Sequence, residues 1–506
     1  MSGSVKVKEL LERSGAVRAS LSIASGELAD SAATLLGSGY RLALVCAIDT
    51  NEDIRVAYLF VSGPPDRRIE LVLTTDRDQP RVPSLAHLSF PAGRFEREIH
   101  DLFGVVPVGH PAPRRLVLHQ HWPEGWRPMR HDAPASVSMD EEISTYPFVE
   151  VQGPGVYEIP VGPVHAGLIE PGHFRFSVVG ETILKMKARL WFVHKGIERL
   201  FEGRDFPTGV ELAEKISGDS AVGHSLALCR AIEEALDVVV SPRAEELRVV
   251  LLELERLYNH VADIGALCND VGFGLAQARA LTLREHLLRL NRTVTGHRLL
   301  RGGVRVGGAR VIELPDAPEL DAIGELFAEL VALARGQGTV MDRFMGTGVL
   351  HLNDVEEMGV IGVAARASGS PYDARRAHPA GDPPVGFVPA SSTQGDVQAR
   401  FDVRVDEVAT SLGLLHDYCA RPGARDVAVP VNMSVRAVSG SGIVEGWRGA
   451  IVHRVEFDQG VLTRVKVVDP SFFNWPALAV SLADTIVPDF PLVNKSFNLS
   501  YAGNDL

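Results

Sequence analysis

The sequence predicts an α+β protein: a small N-terminal α+β domain, then a mainly helical domain with flanking β segments. Two features predict this. Up to about residue 110, short runs of β-forming residues alternate with turn formers. From about Gly180, apolar residues recur at three- and four-residue steps over long stretches, which is the period of a helix with one buried face.

Within the first domain, Arg41–Ile48 (RLALVCAI), Ile54–Val61 (IRVAYLFV) and Ile69–Thr74 (IELVLT) read as strands. They are separated by the turn formers of 49–53 and 63–66. The stretch from about His110 to Pro147 is rich in Pro, Trp and charge, and reads as a connector rather than a core. The domains are therefore placed at residues 1–120, a linker at 121–150, and residues 151–506. In the second domain Ser241-Pro242 is a helix start, with a capping hydroxyl and Pro at the first helical position. Leu247, Val250, Leu251, Leu254, Leu257, Val261 and Ile264 then give the apolar stripe. A second helix is predicted over about 275–300, stopped by Gly302-Gly303. Two more are predicted over 320–335 and 401–418. Residues 435–469 read as a hairpin-like β segment turning at Asp458–Gly460.

A chain of 506 residues is long enough for several domains. The net charge of −13 argues against a nucleic-acid partner, which calls for a basic face. The four cysteines, Cys46, Cys229, Cys268 and Cys419, form no C-x-x-C pair. A Cys-ligated zinc or iron–sulfur site in this chain is not expected, nor is a disulfide framework. No apolar leader opens the sequence and no run of 18 apolar residues occurs. A signal peptide and a membrane span are not expected, so any work at a membrane calls for partners.

Four segments could carry chemistry. Gly218-Asp219-Ser220 has the GDS order of serine proteases, but the glycines that should follow are absent. Gly302 to Gly308 is glycine-rich, yet it follows a helix instead of opening one, so a turn is favoured over a phosphate loop. His194 and Glu198 have the spacing of a proton-relay pair, with a solvated helix face as the favoured reading. His165, Glu170 and His173 lie on a Gly/Pro-rich loop, where they serve either proton transfer or as exposed turn residues.

Longer motifs point to a family. Glu96-Arg97-Glu98-Ile99-His100-Asp101-Leu102-Phe103-Gly104, followed by Gly109-His110-Pro111 and Arg114-Arg115-Leu116, resembles the signature of the 30-kDa subunit of respiratory complex I. The later chain resembles the complex I 49-kDa subunit and the large subunit of group 4 nickel–iron hydrogenases. The segments are GPVHAGLIEPGHFR (162–175), HKGIE (194–198), ERLYNH (255–260), RASGSPYDARRAHP (366–379), GDVQAR (395–400) and EGWRG (445–449). The fused order is that of the formate hydrogenlyase large subunit. The resemblance implies a hydrogenase-large-subunit-like second domain.

It also locates the four cysteines that hold nickel in those hydrogenases. The stretch matching their first C-x-x-C pair is Lys215 to Ser225, with Ser217 and Ser220 at the two positions. The chain's last residues place Ser500 and Gly503 at the second pair, in preference to the superficially similar Asp469-Pro470-Ser471. A hydroxyl is a hard, weak donor that stays protonated at neutral pH, and glycine offers none, so a nickel–iron centre is not expected. By the resemblance, His165 matches the G-P-x-H histidine and His173 lies near a second one. Glu170 and Arg448 match residues of the hydrogenase branch. The implied function is a subunit of a membrane-associated, complex I-related oxidoreductase whose metal-free cavity serves a quinone. No cofactor is expected in this chain itself. An iron–sulfur cluster is expected in a small partner subunit, with membrane-arm partners of the antiporter type. The implied location is peripheral, on the cytoplasmic side of the cell membrane. A non-catalytic structural or coupling subunit of the same complex is the alternative, and an active nickel–iron hydrogenase is a third, less favoured reading.

Overall fold

The computed structural model describes residues 3–139, 146–167, 169–379, 387–432, 434 and 438–506. The N-terminal unit is a four-stranded sheet of Val17–Ser22, Arg41–Asp49, Asp53–Ser62 and Arg67–Asp76, in spatial order first, fourth, third, second. The last three form an antiparallel meander, and the first pairs parallel with Arg67–Asp76. All three strands read from the sequence are present. Their alternating and continuous apolar runs cover both faces, because helix Phe90–Phe103 packs on one of them.

That helix carries the E-R-E-I-H-D motif, and its carboxylates work as clamps. Glu96 accepts from the Ser84 hydroxyl (2.6 Å) and the Leu85 amide (2.5 Å). Asp101 accepts the amides of Leu116, Val117 and Leu118 at 2.7, 2.8 and 3.2 Å. Arg189 of the second unit donates to the carbonyls of Leu116 and Leu118, so this segment is held from both sides. The helix ends at Gly104, whose φ of +81° makes the left-handed cap that a β-carbon would disfavour.

The expected linker is more than a connector. Met129 is buried and its amide donates to Leu102 O (3.1 Å), while the His131 amide donates to Asp49 (3.0 Å). Residues 121–139 thus pack on the N-terminal unit; residues 140–145 lie outside the described residues.

The second unit opens with the three-stranded antiparallel sheet Val156–Val161, His173–Val179 and Thr182–Arg189. Helices Ala221–Ala235, Pro242–Asp270, Gly274–Thr295, Ala317–Arg335 and Val397–Ala420 form the bundle. Ser241 caps the longest of them, its hydroxyl accepting from the Ala244 amide (3.3 Å). The second predicted helix stops earlier than expected, at Gly296 with φ +89°. Gly302 to Gly308 instead leads into a short hairpin, Val304–Arg305 with Gly308–Arg310. A β-carbon on Gly308 would run into the Val427 carbonyl of the neighbouring strand, so this glycine serves close strand approach and not a phosphate.

The expected hairpin is a three-stranded meander, Val438–Gly446, Gly449–Asp458 and Val461–Val468; residues 435–437 lie outside the described residues. The meander joins the two units. Ile443, Ala450, Val452, Val468, Phe472 and Phe473 belong to the same apolar cluster as the N-terminal sheet, and Phe95 stacks on Phe472 at 4.5 Å.

Under the bundle lies a buried ionic network built from the longer motifs. Glu407 receives His260 Nε2 (2.7 Å) and the guanidiniums of Arg366, Arg256 and Arg375. Arg366 also meets Glu445 (2.7 Å), and Arg256 also meets Glu253 (3.0 Å). Removing one partner leaves others charged and dry. Arg366→Ala is expected to destabilise the fold by about 3–5 kcal/mol, read as a lowered urea midpoint; an unchanged midpoint contradicts the network's role.

Candidate functional site

The site forms where the turn before helix Ala221–Ala235 meets the turn Trp447-Arg448 and the short helix Tyr501–Asp505. Ser500 caps that last helix, its hydroxyl accepting from the Gly503 amide (2.8 Å). The Ser217 and Ser500 hydroxyls are 2.8 Å apart. Ser217 has one proton and directs it at Asp219 Oδ1 (2.8 Å), so Ser500 donates to Ser217. Ser220 also donates to Asp219 Oδ1 (3.3 Å). The four positions singled out in the sequence are therefore brought together, and hydrogen bonds among themselves and to Asp219 join them.

Asp219 is the centre of this cluster, and the sequence reading missed it. Arg448 binds it through two parallel contacts, Nη1 to Oδ1 (2.8 Å) and Nη2 to Oδ2 (2.6 Å). The Arg448 guanidinium lies 3.9 Å over the Trp447 ring, and Trp447 Nε1 donates to Asp219 O (2.9 Å). Burial pushes the Asp219 carboxyl up, but Arg448 and Ser217 outweigh it and hold its pKa at about 2. The signal available was position: Asp219 stands between two serines already singled out, but its partner is 229 residues away.

Gly503 has no room for a side chain. A β-carbon there would lie 2.5 Å from Asp469 Cγ and 2.6 Å from Oδ2. Asp469 is itself fixed. It caps helix Pro470–Ser481 through the Ser471 amide (2.7 Å) and accepts from His224 Nε2 (3.1 Å), whose Nδ1 faces His453 (3.1 Å).

A cavity of about 610 Å³ opens beside the cluster, lined by His165, Glu170, Ser217, Asp219, Arg448 and Ser500 among others. Phe174, Phe490 and Leu499 supply apolar wall, and Tyr501 lies among the lining residues. His165 Nε2 donates to Gly172 O (2.8 Å), and Glu170 Oε2 accepts the Ala502 amide (3.0 Å). His173 is not part of this wall. It begins a strand, its ring near Phe148 and its Nδ1 on Gly162 O (3.2 Å). Ser220 and Gly503 sit behind the wall and do not line it.

The His194–Glu198 pair is corrected by the fold. Glu198 is no solvated residue: it is 4% exposed and holds Arg464 (2.8 Å) and Lys466 (3.0 Å). His194 precedes the helix Ile197–Phe201, and its Nδ1 donates to Asp505 O (2.6 Å). Ser220 opens a helix whose first amides, Val222 and Gly223, are taken by Glu255, so the GDS order forms no nucleophilic site. Among the described residues, no group of three or more His, Cys, Asp or Glu is placed to hold a metal ion.

Two measurements check this geometry. Gly503→Ala is expected to cost about 1–3 kcal/mol through the clash with Asp469, read by urea denaturation; a neutral result contradicts it. Asp219 is held below its ordinary value, so its stabilisation is complete above about pH 4 and fades as pH falls through about 2. Asp219→Asn should flatten that acid limb of stability against pH, and an identical limb would remove Asp219 from the account.

Residues 21–138 match the family described as the 30 Kd subunit of respiratory-chain NADH dehydrogenase, and residues 270–432 match its 49 Kd subunit. Formate hydrogenlyase subunit 5 of Escherichia coli (strain K12) is 31% identical over 86% of this chain and 79% of its own length. Hydrogenase-4 component G of the same organism is 32% identical over 85% of this chain and 77% of its own. The fused C/D subunit of the NADH-quinone oxidoreductase of Phocaeicola vulgatus is 30% identical over 74% of this chain and 77% of its own. A chain from the structure of the membrane-bound sulfane sulfur reductase, an archaeal respiratory membrane complex, superposes with a TM-score of 0.63 at 23% identity. It covers 70% of this chain and 99% of that one, which speaks to the fold. The chain belongs to the family of fused 30-kDa- and 49-kDa-type subunits found in oxidoreductase complexes.

Proposed function

We propose that this chain is the large subunit of a membrane-bound, complex I-related oxidoreductase, and that its cavity takes the head group of a quinone-type acceptor. Electrons would reach it from an iron–sulfur cluster in a small partner subunit. The observation that carries this reading is the cavity beside Arg448. Its volume of about 610 Å³ lies in the range of small-molecule sites, ~300–1,000 Å³, and it joins a polar end to an aromatic wall.

Reducing a quinone to a quinol adds two electrons and two protons. His165 carries its proton on Nε2, because a carbonyl can only accept, so Nδ1 is the atom left for exchange. Glu170 spends Oε2 on the Ala502 amide and keeps Oε1. These two residues, and not His173, are the proton carriers of this reading. Arg448, oriented by its two contacts to Asp219, would offer its remaining N–H groups where a quinone oxygen gains electron density.

A nickel–iron centre does not fit the residues present. Three hydroxyls and a glycine replace soft thiolates, the hydroxyls are engaged with one another and with Asp219, and Gly503 abuts Asp469. Among the described residues no helix is long and apolar enough to cross a membrane, so attachment would come from membrane-arm partners.

A second reading, a coupling subunit that binds no substrate, draws on one observation. The Ser217–Ser500 contact and the Asp219–Arg448 pair tie the ligand-matching positions to one another and leave their polar groups partnered within the chain. Titration of the purified complex with a short-chain quinone separates the two. His165→Ala and Arg448→Ala should each weaken affinity or turnover at least tenfold, with thermal unfolding as the folding control. If both variants leave affinity and turnover unchanged, the coupling reading stands. Stoichiometric nickel in the native complex would overturn both.

A further inference from the structure

A second cavity, of about 500 Å³, lies at the seam of the two units. Helix Phe90–Phe103 and the 117–135 segment form one side, and residues 191–200 form the other. The last helix separates it from the first cavity: Tyr501 and Ala502 face the first, and Asp505 and Leu506 face the second. Nothing in the proposed reaction uses this space.

Its walls have an unusual make-up. Three of the chain's five tryptophans, Trp122, Trp126 and Trp191, line it. Trp122 and Trp126 stack face to face with centroids 4.6 Å apart and an interplanar angle of 13°. Trp191 holds a φ of +65°, which a bulky residue adopts only when its surroundings enforce it. Two residues on, Asp505 accepts the Val193 amide at 3.2 Å. Two polar atoms of the wall residues, Trp126 Nε1 and Glu98 Oε2, are buried without a hydrogen-bond partner.

The polar groups that remain free have a definite pattern. Glu198 is occupied by Arg464 and Lys466, and Glu98 Oε1 by Lys466. Arg199 is paired with Glu202. His194 is exposed to the cavity, and because Nδ1–H donates to Asp505 O, its Nε2 is left as an acceptor. Lys195, also exposed, forms no ion pair among the described residues and is a free donor.

We infer that this seam cavity is a second ligand site, for a bicyclic aromatic molecule carrying one acidic hydroxyl. The rings lie against the tryptophans, where flat aromatic faces stack. The hydroxyl donates to His194 Nε2 and its oxygen accepts from Lys195. The inference is independent of what the first cavity binds.

Calorimetric titration of the purified complex with 2-naphthol tests it, with 2-methoxynaphthalene as the probe that lacks the donor. Saturable binding of 2-naphthol is expected, at least tenfold tighter than the methoxy compound. His194→Ala and Trp126→Ala should each weaken it at least tenfold. Trp126→Phe, which keeps a stacking face, should stay within a few-fold and answers a folding failure of the alanine variant. Arg448→Ala, in the other cavity, should leave 2-naphthol binding unchanged. No saturable binding, equal binding of the two probes, or binding that survives both His194→Ala and Trp126→Ala overturns the proposal. Loss of binding in Arg448→Ala alone does so as well, by moving the ligand to the first cavity.

Discussion

The Glu407 carboxylate is the point on which the second unit is hung. Burial alone would push its pKa up, yet Arg366, His260, Arg375 and Arg256 together hold it well below the usual carboxylate range. Three guanidiniums then face three low-pKa carboxylates, Glu253, Asp373 and Glu407. Burial and Asp373 raise the Glu445 carboxyl, which Arg366 draws back down, and burial lowers His260. Mutual pairing of this kind is what lets so many ionic groups be kept from water. Arg256 carries the effect outward. It donates to the carbonyls of Glu445 (2.8 Å) and Gly446 (3.2 Å), which sets the start of the turn bearing Trp447 and Arg448. From there the line of contacts runs through Asp219 to Ser217 and Ser500. The wall of the first cavity therefore depends on a charge cluster that does not line it.

What was legible in the sequence was local. The strands of the N-terminal sheet follow from continuous apolar runs between turn formers, and the Pro242–Asp270 helix follows from its cap and its stripe. Where reading failed, the deciding partner was remote. Glu198 looked solvated because helical spacing assumes water outside, whereas the cations that bury it sit on a distant strand. The 121–139 segment looked like a connector because composition does not reveal Asp49 and Leu102 waiting to accept its amides. The helix ending at Gly296 was extended to Gly302 because both positions offer a glycine and only packing chooses between them.

The site shows the same division. Registering the chain on its family brought Ser217 and Ser500 to one place, and they touch there at 2.8 Å. His165, Glu170 and Arg448 share the cavity wall. His173 does not, since strand alternation turns it towards Phe148 and Arg175. Asp219 was passed over although it stands between two singled-out serines, because the arginine that gives it a role is 229 residues away.

Gly503 also constrains how a lineage carrying this chain can change. Any side chain at 503 must displace Asp469, and Asp469 cannot be replaced freely, since it caps a helix and engages His224. A substitution at 503 made alone therefore strains the cap of helix Pro470–Ser481. The packing of one glycine against one carboxylate acts as a ratchet, so that positions 503 and 469 change together or not at all.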